Sequence, residues 1–133
     1  METLHKAVEL GSKLKGVLLA TADESGLPHI ASAGNLSLQP EEGRVTVGAW
    51  FCPGTVKNLE HNRKIAVLVW DEVHDAGYQL LGEAEEVKEL SFLDGYSPAM
   101  ESQMPSPQVE RELIIRVEKI IAFSRAPHSD MEV

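Results

Sequence analysis

The stretch RVTVGAWFCPGTVKNLEHNRKIAVLVW, Arg44–Trp70, sets two apolar alternations on either side of an abrupt break. RVTVGAW, Arg44–Trp50, reads as a strand with Val45, Val47 and Ala49 on one face, because successive strand side chains point to opposite faces. KIAVLVW, Lys64–Trp70, reads as another strand, central in its sheet. Between them lie two aromatics, Cys52, a Pro53-Gly54 pair and a short helix over Thr55–Asn62 whose apolar stripe is Val56 and Leu59. A strand, a tight break, one short helix and an immediate return to strand fit a small β fold better than a regular strand–helix alternation.

Working outward, Thr3–Leu10 is spaced as a helix, with Gly11 as its stop. GVLLATAD, Gly16–Asp23, is apolar almost throughout and reads as a strand buried on both faces. ESGLPH, Glu24–His29, is a turn punctuated by Gly and Pro. His29–Gln39 is a second strand of small and apolar residues, and PEEGR, Pro40–Arg44, turns into the third. Downstream, YQLLGEAEEV, Tyr78–Val87, is a long strand in which Gly82 marks a bulge or a close backbone approach. Lys88–Tyr96 is spaced as a short helix around Leu90 and Leu93. Ser97–Gln108, rich in proline, reads as a surface loop, and Arg111–Phe123 as a sixth strand with an apolar alternation. The polar tail SRAPHSDMEV is expected to fray. Six strands joined largely by hairpin-length turns predict antiparallel pairing, and a sheet of this size removes its edges by curling into a barrel.

A chain of 133 residues, 43% of them hydrophobic, suffices for one domain spanning 1–133 with a real core. The single cysteine excludes an internal disulfide framework and suits a reducing compartment. The charged N-terminus lacks a signal-peptide core, and no window approaches the roughly 20 apolar residues of a membrane span. A cytoplasmic location is expected. A net charge of -9 repels nucleic acid and anionic membranes, so any anion site must be assembled from local donors.

The five histidines form neither H-x-H nor H-E-x-x-H, and no C-x-x-C exists, so no metal site is expected. There is no nucleophile elbow and no Walker loop. The carboxylates of EAEEVKE read as a solvated strand end, and no residue is assigned as catalytic. A chain that does chemistry without such groups borrows a cofactor. The short helix offers an anion seat: its first backbone N–H groups are unpaired and carry partial positive charge. Gly54 leaves the backbone open to a ligand. Thr55 can cap the helix or donate its hydroxyl, Lys57 adds charge and Asn58 an amide. By local pattern alone a plain capped helix with Lys57 in water is the commoner arrangement. The upstream strands shift that balance. Ala31, Ser32, Ala33, Gly34 and Asn35 on the second strand, with Gly48 and Ala49 ending the third, leave room for something flat, and Trp50 and Phe51 can wall it in. Tight strand packing in a narrow barrel would also use such small residues.

These features together resemble the FMN-binding split β-barrel family, which includes pyridoxamine 5'-phosphate oxidase-like proteins, flavin reductase-like proteins and small FMN-binding proteins. The resemblance runs from about Gly16 to Val87. GLPHIASAG is similar to the start of the family's second strand, GRVTVGAW to the strand that passes under the flavin, and GTVKNLEHNRKIAVLV to its phosphate-binding turn, helix and next strand. LLGEAE is similar to the strand carrying the family's glycine, here Gly82. The resemblance implies a mainly β, six-stranded antiparallel split barrel with few short helices. It implies FMN contacts at Ser32, Ala33, Gly34, Asn35, Gly48, Ala49, Trp50 and Phe51, and phosphate contacts at Gly54 and Thr55 with help from Lys57 and Asn58. It implies a homodimer with flavin at the interface, which the apolar alternation of the sixth strand would suit. The implied function is an FMN-dependent oxidoreductase, with hydride or electrons passing at the isoalloxazine from a nicotinamide or other small-molecule donor. The alternatives are a non-enzymatic carrier of flavin, or of a related cofactor such as heme or deazaflavin, and a flavin-free structural barrel. An acidic chain with so few bases does not suit pyridoxamine phosphate as substrate. Many members carry Lys or Arg where Gly54 stands, and Lys57, Arg63 or a base from a partner chain are the candidate replacements.

Overall fold

The computed structural model describes residues 2–48, 53–92 and 109–133. The chain is mainly β. Its elements are α1 (Glu2–Lys13), β1 (Val17–Ala22), β2 (Pro28–Leu38), β3 (Arg44–Gly48), α2 (Pro53–His61), β4 (Lys64–Asp71), β5 (Ala76–Phe92), β6 (Val109–Arg125) and the two-residue β7 (His128–Ser129). The strands lie in the order β3-β2-β1-β4-β5-β6-β7, and β3 also pairs with β6. That second pairing closes the first six strands into an antiparallel barrel, as the edge argument predicts.

Alternation builds the barrel wall. Val17, Leu19 and Thr21 of β1 and Ile65, Val67 and Val69 of β4 point inward and are buried, as are Leu80, Leu113 and Ile115. The intervening residues point out: Leu18 lies opposite Leu68, and Ala20 lies between Ile30 and Ala66. The expectation that β1 is buried on both faces is therefore wrong, since Leu18 is 43% exposed. β4 does sit between two partners, β1 and β5. The two helices occupy opposite ends of the barrel. Gly11 of α1 packs beside Leu36 and Val69, whereas Asn58 of α2 donates to Thr21 Oγ1 at 3.0 Å.

Several other readings need correction. α1 does not stop at Gly11. Gly11 is buried inside the helix, where a methyl group would sit 2.8 Å from Leu36 Cδ2, so close packing rather than termination selects it. The expected helix over Lys88–Tyr96 is not formed at its start. Residues 88–92 continue β5, with Lys88 opposite Glu112 and Glu89 opposite Arg111. Ladder bonds to a long partner strand outweigh a local helical spacing of two leucines. Residues 93–96 of that segment and the loop Ser97–Gln108 lie outside the described residues, as does the end of the third strand beyond Gly48.

The tail does not fray. β7 pairs with Ser124 and Arg125, and the Val133 amide donates to Ile120 O at 2.9 Å, so the tail runs along the part of β6 that reaches past β3. Gly82 is both a bulge and a close approach: the register slips between Leu81 and Gly82, and a Cβ there would run into the carbonyl oxygen of Arg116. β6 is not the most exposed apolar surface, since Leu113 and Ile115 are fully buried. Leu18 and Ile30, on the outer face of β1 and β2, are far more open.

Candidate flavin site

β2 carries both halves of the candidate site. At its far end Ser32, Ala33, Gly34 and Asn35 line a cleft of about 250 Å³ together with Lys15, Gly16 and Gly48. Gly34 pairs with Gly48, and the register slips between Gly34 and Ser37, where Asn35 adopts a left-handed backbone (φ 55°). Asparagine tolerates that conformation better than most residues. A methyl on Gly48 would sit 3.3 Å from Gly34 O and 3.4 Å from Asn35 Nδ2, so the two strands approach closely here. Five residues expected from two separate stretches of sequence thus meet in one cleft. Lys15 and Gly16, just after α1, complete it. Nothing in their own local sequence marks them for it.

The other end of β2 meets α2. Asp23 accepts hydrogen bonds from the Ser25 amide (2.9 Å), the Ser25 hydroxyl (2.7 Å) and the Leu27 amide (2.9 Å), which fixes the turn that delivers His29. The Ser25 hydroxyl, first among these contacts, holds the Asp23 carboxyl below the usual carboxylate range. His29 pairs with Thr21, the residue that receives Asn58, and the His61 ring stands 3.8 Å from Glu24 on the same turn. Strand, turn and helix are thereby tied at three points.

On α2 the four expected residues diverge. Gly54 is exposed, and a Cβ there would lie 3.4 Å from His29 Nε2. Thr55 does not open the helix as its cap. Pro53 begins the helix, and Thr55 is two residues inside, fully buried. Its Oγ1 has no hydrogen-bond partner among the described residues. One amide hydrogen of Asn58 is committed to Thr21. Lys57 points elsewhere, into a groove shared with Glu60, Arg63, Glu85, Glu86 and Glu89. Arg63 is also occupied, donating to the carbonyls of Ala84 (3.0 Å) and Glu85 (3.3 Å). Ala49, Trp50 and Phe51 lie outside the described residues. His29 is absent from the expected set. It stands within the GLPHIASAG stretch, but only the register with Thr21 shows that it reaches α2.

The two clusters are three to six residues apart along β2, from His29 to Ser32 at the near side and to Asn35 at the far side, about 10–20 Å at the rise of an extended strand. A long ligand with different chemistry at its two ends suits such a spacing better than a compact one. Among the described residues no three His, Cys, Asp or Glu side chains gather as metal ligands, and no helix is long and apolar enough to cross a membrane.

Residues 4–122 match the family described as pyridoxamine 5'-phosphate oxidase. This chain belongs to that family. An FMN-binding protein from Syntrophomonas wolfei shares the fold of this family member with a TM-score of 0.68 at 18% identity, over 92% of this chain and 87% of that one. HupZ of Group A Streptococcus gives 0.66 at 21% identity, over 95% and 96%. A Clostridium acetobutylicum protein related to general stress protein 26 gives 0.65 at 19%, over 99% and 95%. At such identities the likeness concerns the fold. No curated protein matches the chain.

Proposed function

We propose that this protein is an FMN-binding flavoprotein, a single domain over residues 1–133, and an oxidoreductase that passes hydride or electrons at the isoalloxazine. The observation that carries this reading is the cleft in which Ser32, Ala33, Gly34, Asn35 and Gly48 converge. Small side chains on adjoining strands admit a flat ring system, and the break in β2–β3 pairing between Gly34 and Ser37 offers backbone donors and acceptors to its rim. The fit extends to the other end of β2. The Thr55 hydroxyl, buried without a partner among the described residues, and the start of α2 suit an anionic group.

In this reading Gly34 and Gly48 let the backbone approach the ring, Asn35 hydrogen-bonds its rim, and Ser32 and Ala33 set the floor beside it. Gly54 and Thr55 receive the phosphate, with Asn58 holding α2 in place through Thr21. Lys57 serves the long-range field. Trp50, Phe51 and Ala49, which lie outside the described residues, are proposed as the wall. When bound, FMN supplies the redox chemistry, as cofactors generally do. Of the described residues lining the cleft only Lys15 is ionisable, so the protein's own part is positioning and hydrogen bonding. A second copy of the chain covers the outer face around Leu18 and Ile30 and completes the flavin site.

Purified protein should be yellow, or become so on titration with FMN. Colourless protein that leaves added FMN unbound overturns the reading. Stopped-flow mixing of the loaded protein with NADH or NADPH then separates an oxidoreductase, which is bleached by one of them, from a carrier, which is bleached by neither.

A further inference from the structure

We infer that His29 is the cation on the phosphate side of this site, in place of a basic side chain at position 54. The inference rests on the flavin reading above and adds a residue to it. Gly54 and His29 are neighbours: any side chain at 54 would begin 3.4 Å from Nε2 and 3.6 Å from Cε1 of the imidazole. The ring therefore stands beside the stem that a Lys or Arg at 54 would have. It is kept there by the Asp23 turn on one side and by the Asn58–Thr21 bond on the other. Among the described residues the imidazole has no hydrogen-bond partner and no ion pair, so its N–H is available to an incoming acceptor.

A second observation points independently to a ligand here. Thr55, next to Gly54, buries a hydroxyl without a partner among the described residues. The other cations of this chain proposed for the task lie elsewhere. Lys57 lines the groove of carboxylates and Arg63 holds two carbonyls of β5. A phosphate at this helix start would thus meet an imidazole first.

A histidine is a cation only when protonated, so the contact should strengthen as pH falls. The charged groups on the elements packed around His29 are Asp23 and Glu24 in the turn and Lys57, Glu60 and His61 on α2. His61 is itself paired with Glu24. The phosphate of free flavin also titrates near about pH 6, and that part of the pH dependence is common to wild type and variant.

The test is titration of the apoprotein with FMN and with riboflavin, which lacks the phosphate, at pH 6 and pH 8. His29→Gln should bind FMN roughly tenfold more weakly than wild type at pH 6, with a smaller difference at pH 8. Riboflavin affinity should be unchanged throughout. His29→Lys should hold wild-type affinity at pH 6 and exceed it at pH 8, which keeps the test decisive if the glutamine variant folds poorly. Equal FMN binding by wild type and His29→Gln at both pH values overturns the inference and leaves the flavin reading standing. Parallel loss of riboflavin and FMN overturns the phosphate role. Failure of the wild type to bind either flavin removes both.

Discussion

Thr55 shows how much and how little one residue discloses. Its place after Pro-Gly in a helix-opening stretch is visible in the sequence. Its burial is not, because that depends on α2 docking over the barrel end. A buried hydroxyl without a partner costs about 1–3 kcal/mol. Thr55→Val keeps the shape and removes that cost. The apoprotein should then unfold at an equal or higher temperature, while FMN affinity falls. A clear loss of apoprotein stability in a melting experiment would mean that the hydroxyl is satisfied without ligand. Ser32 to Asn35 and Gly48 were legible because small residues in sequence remain small wherever the chain places them. The nearness of His29 to α2 was not, since it comes from the pairing with Thr21 and not from its neighbours in the chain.

At the level of elements, turn chemistry was the most readable signal and long-range pairing the least. Gly, Pro and Asp mark the hairpins correctly. The helix expected from Lys88 and the frayed tail were both wrong for one reason: β6 pairs along one edge with β5 and along part of the other with the tail, and neither partner is local. The tail is secured through Asp75, in the β4–β5 turn. Its carboxylate accepts the backbone amides of Arg125 and Ala126, each at 2.8 Å, and the Trp70 indole at 3.3 Å. The Arg125 guanidinium stands 5.1 Å from the Trp70 ring centroid, and Phe123 meets Trp70 edge-on at 5.4 Å.

These contacts, the Arg125 amide foremost, hold the Asp75 carboxyl below the usual range. The folded state thus favours the ionised form. Its contribution is complete above the unfolded-state value of about 4 and disappears as pH falls through the lower folded value. Asp75→Asn should lower the melting temperature at pH 7 and flatten its decline between about pH 5 and 3. An unchanged acid slope in melts across that range would show that the clamp contributes nothing.

For the molecule as a whole, closure into a barrel followed from the need to remove sheet edges. The identity of the closing strands did not, because hydropathy carries no address. The same alternation that fills the core leaves an apolar outer face on β2, β1 and β4, where Ile30 is 69% exposed and Leu18 lies beside Leu68. We expect a dimer through this face. Leu18→Asp combined with Ile30→Asp should elute as a monomer with an unchanged circular dichroism spectrum. Wild-type protein that sediments as a monomer at micromolar concentration would remove the proposed interface.

The β3–β6 seam has a consequence for biosynthesis. On β6 the register partner of Arg44 is Arg116, and a ribosome adding about 5–20 residues per second takes on the order of several seconds to travel that far. Throughout that interval one side of β3 has no strand to bond, although β1, β2 and β4 are already available to one another. The nascent chain is therefore an open, sticky sheet until its last long strand is made. A nonsense mutation before Leu113 would make that state permanent. Such a product should be cleared or aggregate rather than persist as a smaller folded protein.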